Sequence, residues 1–356
     1  MLVLSNEQIE EMIRMEDVLI VLEELYRDIA AGAALNSPRI DNLAPTVRAD
    51  AYYGFKHMGG TWPRRGVQAL RINSDIITHP AVEGRRRRVK VPSAGGRWVG
   101  LVELFSTETG ELLAIFPDGI IQRMRVGATN GLAAKYLSRA ASTSVGLIGA
   151  GWQAGTQLMA VTAVRPIESV KVYSLRPESR QAFAEEYTAK LGIPVVAVDN
   201  PEDCVRNVDI LLAATSSMVP VLRPEWLKPG MHISCIKTQE VDRAVLERCD
   251  ITVVHTSRQT KQYDNIMPGT PNILGEHLQG WWNEEGMNWE SFADLAALVG
   301  GKINGRSADH QITCFVNNVG MGLQFAAAGA VILDKARKLG AGTELPATWF
   351  TESVHP

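Results

Sequence analysis

Gly149, Gly151 and Ala154 stand in the run Ser144-Val-Gly-Leu-Ile-Gly-Ala-Gly-Trp-Gln-Ala-Gly155, a G-x-G-x-x-A spacing between a strand-like and a helix-like segment. That spacing suits a dinucleotide. Gly149 permits a tight turn, Gly151 lets the backbone approach a pyrophosphate, and Ala154 is small enough for close strand–helix packing. The helix N-terminus behind them offers free N–H groups and the positive end of a dipole, with Ala150 and Gln153 completing the turn. A glycine-rich turn that binds nothing is the competing reading, and the strand–turn–helix context weighs against it. The next strand bears on which dinucleotide. It ends Tyr173-Ser174-Leu175-Arg176-Pro177, without the acidic residue that holds a ribose 2′-hydroxyl in NAD sites. A hydroxyl followed by an arginine suits a 2′-phosphate and favours NADP, with NAD possible and Arg176 as a plain surface residue the alternative. Thr215 and Ser216 follow the fourth strand at the end where such folds line the cofactor crevice. Lys237 ends the fifth, placed to face cofactor or substrate or, equally, solvent.

The elements that must hold these residues alternate. Apolar runs at 145–149, 170–174, 194–198, 209–214, 231–236 and 251–255 read as parallel strands, with helices over 151–164 and 177–191. Ahead of them, residues 5–31 have helical spacing opened by Ser5 as N-cap. From Ser37 to Pro117 short β-like runs (67–72, 88–92, 98–105, 112–116) alternate with Gly and Pro, and Thr109-Gly110 marks a hairpin turn. Residues 124–139 are helical, 257–300 loop-rich with Trp281-Trp282, and 311–338 helical again. The fold class is therefore α/β, with a Rossmann dinucleotide-binding domain (124–321) inserted into a smaller α+β domain (1–123 with 322–356).

Composition agrees with an ordinary globular chain. The 356 residues are 46% hydrophobic and 21% charged, which excludes a disordered chain or a fibre, and the length suits two domains. With 36 Lys+Arg against 39 Asp+Glu the net charge is −3, a poor basis for nucleic-acid binding. The four cysteines show no C-x-x-C, and the N-terminus has no basic leader. Residues 140–164 carry no charge, but their glycine cluster argues for strand–turn–helix rather than a membrane span. A soluble, cytoplasmic protein without membrane partners is the expectation.

Several segments, in order and spacing, resemble the ornithine cyclodeaminase/mu-crystallin family. They are Pro38-Arg39, Val91-Pro92-Ser93 through Thr109-Gly110, Met124-Arg125 through Leu137, and the glycine fingerprint with its Ala214–Ser217 turn. Pro229-Gly230-Met231-His232, Gly275-Glu276 and Gly305-Arg306 ahead of Ile312-Thr313 complete the set. The resemblance implies a Rossmann domain inserted in a substrate-binding and dimerisation domain formed by 1–123 with 322–356, NAD(P)(H) as cofactor, and amino acids or their imines as substrates. It places Arg39 and Arg125 at the substrate carboxylate and nicotinamide, puts Arg71 where the family carries a lysine, and assigns Ser93 to the cofactor. Guanidinium binds carboxylate bidentately and keeps its charge, whereas it is no proton donor near neutrality. Lys56, His57 or Lys237 is left to deliver the proton, and a structural ion pair is the competing role for each arginine. A family serine near the cofactor is replaced by Asn317 or Asn318, of which Asn317 is taken as the cofactor residue.

Hydride transfer to or from the Cα of an amino acid or its imine is thus the expected reaction, on a small substrate carrying a carboxylate, in a homodimer. The stretch Ile236-Lys-Thr-Gln-Glu-Val-Asp242 lacks the cyclodeaminase aspartate. That absence counts against cyclodeamination with bound NAD, which is one alternative; a non-catalytic NADPH-dependent binding protein is the other. Arg85–Arg88 with Lys90 reads as a solvated turn rather than a nucleic-acid patch. The histidines at 57, 79, 232, 255, 277, 310 and 355 show no metal-ligand spacing. Trp62, Trp98 and Trp152 read as core or interface residues, and no G-x-S-x-G is present.

Overall fold

A computed structural model describes residues 1–82, 85–86, 89–217, 219–257, 263–271 and 288–354. Arg87, Arg88, Gly275, Glu276, His277, Trp281, Trp282 and His355 lie outside them, and Arg85–Arg86 is a two-residue strand paired with Ala81–Val82. The chain divides into two compact units. One comprises Met1–Arg125, Gln259–Leu278 and Met321–Pro356; the other comprises Val126–Arg258 and Gln279–Gly320.

The first unit is built on a twisted, mostly antiparallel sheet. Its main path runs Tyr263–Ile266, Ile40–Pro45, Ala51–Trp62, Val67–Thr78, Val99–Ser106, Leu112–Pro117, Leu2–Val3 and Thr343–Glu344. Strands Ala51–Trp62 and Val67–Thr78 alternate buried and half-buried side chains along twelve residues each, the period of a sheet with one covered face. Helices Met15–Ala31 and Leu323–Leu339 pack on each other, and the second lies on the sheet. A Cβ on Gly60 would come within 2.3 Å of the Leu323 backbone nitrogen, so that approach requires glycine. Residues 5–31 form two helices rather than one. Ser5 caps Asn6–Met12 with a capping box, after which Ile13 and Arg14 are extended and Arg14 N–H donates to Asp17 at 2.9 Å. Met12, Ile13 and Met15 are all buried, so apolar periodicity runs unbroken across the joint. Tyr263–Ile266 pairs in parallel with Ile40–Pro45, placing it in this sheet although the sequence reading counts 124–321 as one continuous domain.

The second unit is doubly wound around eight parallel strands. Their order is Val195–Ala197, Ser169–Tyr173, Ser144–Ile148, Ile210–Ala213, His232–Cys235, Thr313–Val316, Ile251–Val254, Ala293–Asp294. The first five stand in the 3-2-1-4-5 order of a dinucleotide-binding fold, whose ligands lie at the carboxyl ends of the strands. The expected helix over 311–338 is corrected here: Thr313–Val316 is a strand inserted between two neighbours, and the helix is Leu323–Leu339. All four residues of that strand are buried, and a short, uniformly buried run shows no period that separates strand from helix. Burying a side chain such as Phe315 there contributes about 1.5–3 kcal/mol.

Candidate functional site

In the second unit, the turn after Ser144–Ile148 has the geometry of a phosphate cradle. Gly149 adopts φ +112°, where a side chain is strained, and a Cβ there would meet the Ala214 carbonyl oxygen at 2.2 Å. Its N–H donates to the Tyr173 carbonyl at 2.8 Å, tying the turn to the neighbouring strand. Gly151 is the N-cap of helix Trp152–Val164 and supplies no capping side chain, so the first-turn N–H groups are not met by one. A Cβ on Gly151 would touch nothing within 4 Å: the space beside the backbone is open where a pyrophosphate would approach. Ala150 and Gln153 are half-buried in the turn, and Gln153 Oε1 is buried with no partner among the described residues. Ala154 is buried as expected, and one residue on the helix closely approaches its neighbour, helix Pro177–Leu191. A Cβ on Gly155 would lie 1.6 Å from the Tyr187 hydroxyl.

At the end of Ser169–Tyr173, Ser174 Oγ donates to the Arg176 carbonyl at 3.2 Å, and Arg176 is exposed as N-cap of helix Pro177–Leu191. Arg180 folds back instead. It donates to the Ser174 carbonyl at 3.0 Å, pairs with Asp199, and lies over the Tyr173 ring. Arg176 is therefore left exposed at this strand end, with the half-buried Ser174 beside it.

The carboxyl ends of the next strands hold a residue that sequence reasoning passed over. Glu240 is fully buried and accepts the Thr215 N–H at 2.5 Å, the Thr215 hydroxyl at 2.8 Å and the Ile236 N–H at 2.9 Å. It thereby clamps together the turns that follow Ile210–Ala213 and His232–Cys235. Burial pushes its pKa up, while Lys237 and these hydrogen bonds pull it back. Lys237 is neither exposed nor aimed at solvent: its ammonium donates to the Ser217 carbonyl, and burial pushes its pKa down against the pull of Glu240. Ser216 is exposed beside them. Asn317 lies just past Thr313–Val316 and bonds Asn130 at 2.8 Å, whereas the Asn318 amide is spent on both backbone groups of Thr256. The buried cysteines are no nucleophiles, since burial pushes Cys235 and Cys204 up, the latter to about 12.

In the first unit, strand register gathers the groups around Arg71. Asp41, Lys56, Asn73 and Gly100 are successive cross-strand partners, and Arg71 and Asp75 flank Asn73 on the same covered face. Gly100 leaves room for a carboxylate: a Cβ there would strike Asp118 Oδ1 at 2.2 Å. Arg71 Nε donates to Asp118 at 2.8 Å, and Asn73 Nδ2 donates to the same oxygen at 3.1 Å. Lys56 Nζ lies 3.3 Å from Asp75, and Arg39 grips Asp41 bidentately at 2.6 and 2.7 Å. Arg125 donates to the amide oxygens of Gln122 and Gln324, both at 2.8 Å, and both it and Arg71 lie over the Phe325 ring, at 5.2 and 5.5 Å. Burial pushes the Arg125 pKa down most, and Arg71 and Arg39 add to the fall by repulsion. His57 points to the opposite face of its strand from Lys56. Ser93 is exposed, with its N–H and hydroxyl both donating to the Arg97 carbonyl, at 2.6 and 2.7 Å. Asp118, Gln324 and Phe325 were not singled out in the sequence. Only Asp118 carried a signal, an aspartate just ahead of helix Gly119–Leu137.

The model of the ornithine cyclodeaminase/mu-crystallin family matches residues 86–340. The chain belongs to that family. Alanine dehydrogenase of Archaeoglobus fulgidus is 28% identical over 352 residues, covering 97% of this chain and 98% of that protein. Iminosuccinate reductase of Paracoccus denitrificans is 25% identical over 362 residues, 97% and 99% of the two chains. The structure of Thermococcus litoralis Δ1-pyrroline-2-carboxylate reductase with NADH and L-proline superposes with a TM-score of 0.77 at 26% identity, covering 97% of this chain and all of that one. These members of the family are oxidoreductases acting on CH–NH or C=N bonds. Among the described residues of this member, no helix is long and apolar enough to cross a membrane, and no group of three metal-ligating side chains forms.

Proposed function

We propose that this chain is an NAD(P)H-dependent oxidoreductase that moves hydride between nicotinamide C4 and the Cα of an amino acid or its imine. The observation that carries this reading is the gathering of guanidinium groups around one sheet face: Arg39 on Asp41, Arg71 on Asp118, and Arg125 with Arg71 over the Phe325 ring. Guanidinium forks bind a substrate carboxylate with defined geometry. The named relatives share the matching chemistry, an α-carbon bearing nitrogen and a carboxylate. When bound, the dinucleotide supplies or accepts the hydride. Gly149, Gly151 and the helix behind them would hold its pyrophosphate, Ser174 and Arg176 its adenosine ribose, and Thr215, Ser216 and Asn317 line its crevice. Lys56 Nζ, on the arginine face with Asp75 as counterion, delivers the proton, while Lys237 is engaged on Ser217. The test is dinucleotide oxidation against 2-oxo acids with ammonia or methylamine, and against cyclic imino acids. One productive acid–amine pair supports the reading; silence across the panel with tight NADPH binding favours the non-catalytic binder.

The finer assignments follow from two surfaces. Ser174 and Arg176 favour NADPH over NADH, and Arg176→Ala is expected to raise the NADPH KM about tenfold while leaving that for NADH within twofold. Equal use of both cofactors by the unaltered protein overturns that preference. The other face of the first unit's sheet presents Tyr53, Phe55, Leu70, Ile72, Ile76 and Leu101, all half-buried, around Ser74 and Glu103. An apolar sheet face of that kind suits a second copy, and an archaeal alanine dehydrogenase of similar fold is a dimer. Ile72→Asp is expected to convert a dimer into a monomer by sedimentation; an unchanged mass places the dimer contact elsewhere.

A further inference from the structure

Three side chains and one carbonyl form a directed chain at the carboxyl ends of strands His232–Cys235 and Thr313–Val316. Asn130 Nδ2 donates to Ser234 Oγ at 2.8 Å and to the Cys235 carbonyl at 3.4 Å, and Asn317 Nδ2 donates to Asn130 Oδ1 at 2.8 Å. Asn130 and Ser234 are buried almost completely, and Asn317 is 5% exposed. A primary amide can usually be turned by half a rotation, but here the backbone decides. The Cys235 carbonyl only accepts, so Asn130 must present its NH2 to that side and its oxygen to Asn317. Asn317 must then present its own NH2 to Asn130. Its Oδ1 is left facing the other way, and no described residue donates to it.

We propose that Asn130 is a positioning residue that locks Asn317 with its carbonyl outward, as an acceptor for the carboxamide NH2 of the nicotinamide ring. The inference rests on the dinucleotide reading above and adds a specificity to it. A ring bearing an amide is held in one orientation, and a ring bearing a methyl ketone in its place loses this hydrogen bond. Asn317 itself would touch the cofactor; Asn130 acts only through it. The Asn317 backbone N–H already donates to the Cys235 carbonyl at 3.0 Å, which fixes the Cα from which the amide projects.

Equilibrium binding separates the possibilities without turnover. The probes are NADP+ and its 3-acetylpyridine analogue, titrated by quenching of protein fluorescence on the full chain. The unaltered protein is expected to bind NADP+ about tenfold more tightly than the analogue, the size of one neutral hydrogen bond in a dry site. Asn317→Ala and Asn130→Ala should each compress that ratio to within about twofold, chiefly by weakening NADP+. Asn130→Ser, which bonds one neighbour but relays nothing, should behave as Asn130→Ala does, and melting curves identify any variant that fails to fold. A ratio near one in the unaltered protein, or a tenfold ratio retained in both Asn130 variants, overturns the positioning role while leaving the dinucleotide site intact. Failure of the unaltered protein to bind either probe overturns the dinucleotide reading, and the role of Asn130 with it.

Discussion

Arg125→Ala is expected to lower kcat/KM for the preferred imine by about two orders of magnitude while leaving NADPH affinity within threefold. Arg125 sits in the first unit on helix Gly119–Leu137, held by Gln122 and Gln324 and stacked on Phe325, whereas the glycine cradle belongs to the second. A charge-assisted hydrogen bond contributes about 1.5–3 kcal/mol, and a carboxylate held as proposed would take two from a fork, so at the lower figure roughly a hundredfold loss is the scale to expect. Arg125→Lys tests the geometry separately. It keeps the charge, loses the planar fork, and should recover no more than about tenfold of the loss. A purely structural arginine makes a different prediction, since removing it would lower the melting temperature without a selective effect on catalysis. Turnover of a confirmed substrate within threefold of the unaltered protein would show that the carboxylate is held elsewhere. The same measurement on Arg71→Lys is informative because Asp118 already compensates Arg71, so that variant should lose less.

The second unit was legible because its physics is local. Parallel strands covered on both faces read as unbroken apolar runs, and each expected strand from 145 to 255 falls within a residue or two of the observed one. The glycines announce themselves by spacing. The strand Thr313–Val316 escaped because four buried residues carry no period, and its place between His232–Cys235 and Ile251–Val254 depends on neighbours far along the chain. In the first unit, Ala51–Trp62 was not anticipated, since Gly54, Gly59, Gly60 and Lys56 dilute its alternation. Those glycines are there for close packing, which no local pattern reports. The candidate site divides the same way. Arg39, Arg71 and Arg125 came from resemblance. The groups that hold them, Asp118 at 47 positions from Arg71 and Gln324 at 199 from Arg125, are contacts that only the folded chain makes. Glu240 lies in the stretch that lacks the cyclodeaminase aspartate but points under the Thr215 turn, a role that burial and hydrogen bonding reveal and residue type alone does not.

The two glycines of the fingerprint should fail in opposite ways, and that contrast is the sharpest test of the cradle. Gly151→Ala places a methyl group where nothing of the chain lies within 4 Å, at φ −94° and ψ −177°, a conformation open to alanine. The protein should fold with its melting temperature within about 2 °C of the unaltered value. The methyl would occupy the space through which a pyrophosphate approaches the backbone, so NADPH affinity should fall at least thirtyfold. Gly149→Ala forces a side chain onto φ +112° and 2.2 Å from the Ala214 carbonyl, which must move together with its strand end. Strain and displacement together should cost about 3 kcal/mol or more, a drop of several degrees in melting temperature, with binding lost as a consequence. Calorimetry and NADPH titration on both variants therefore form one experiment. If Gly151→Ala binds as the unaltered protein does, the open space beside Gly151 is not where the phosphates lie, and the cradle assignment fails even though the fold around it stands.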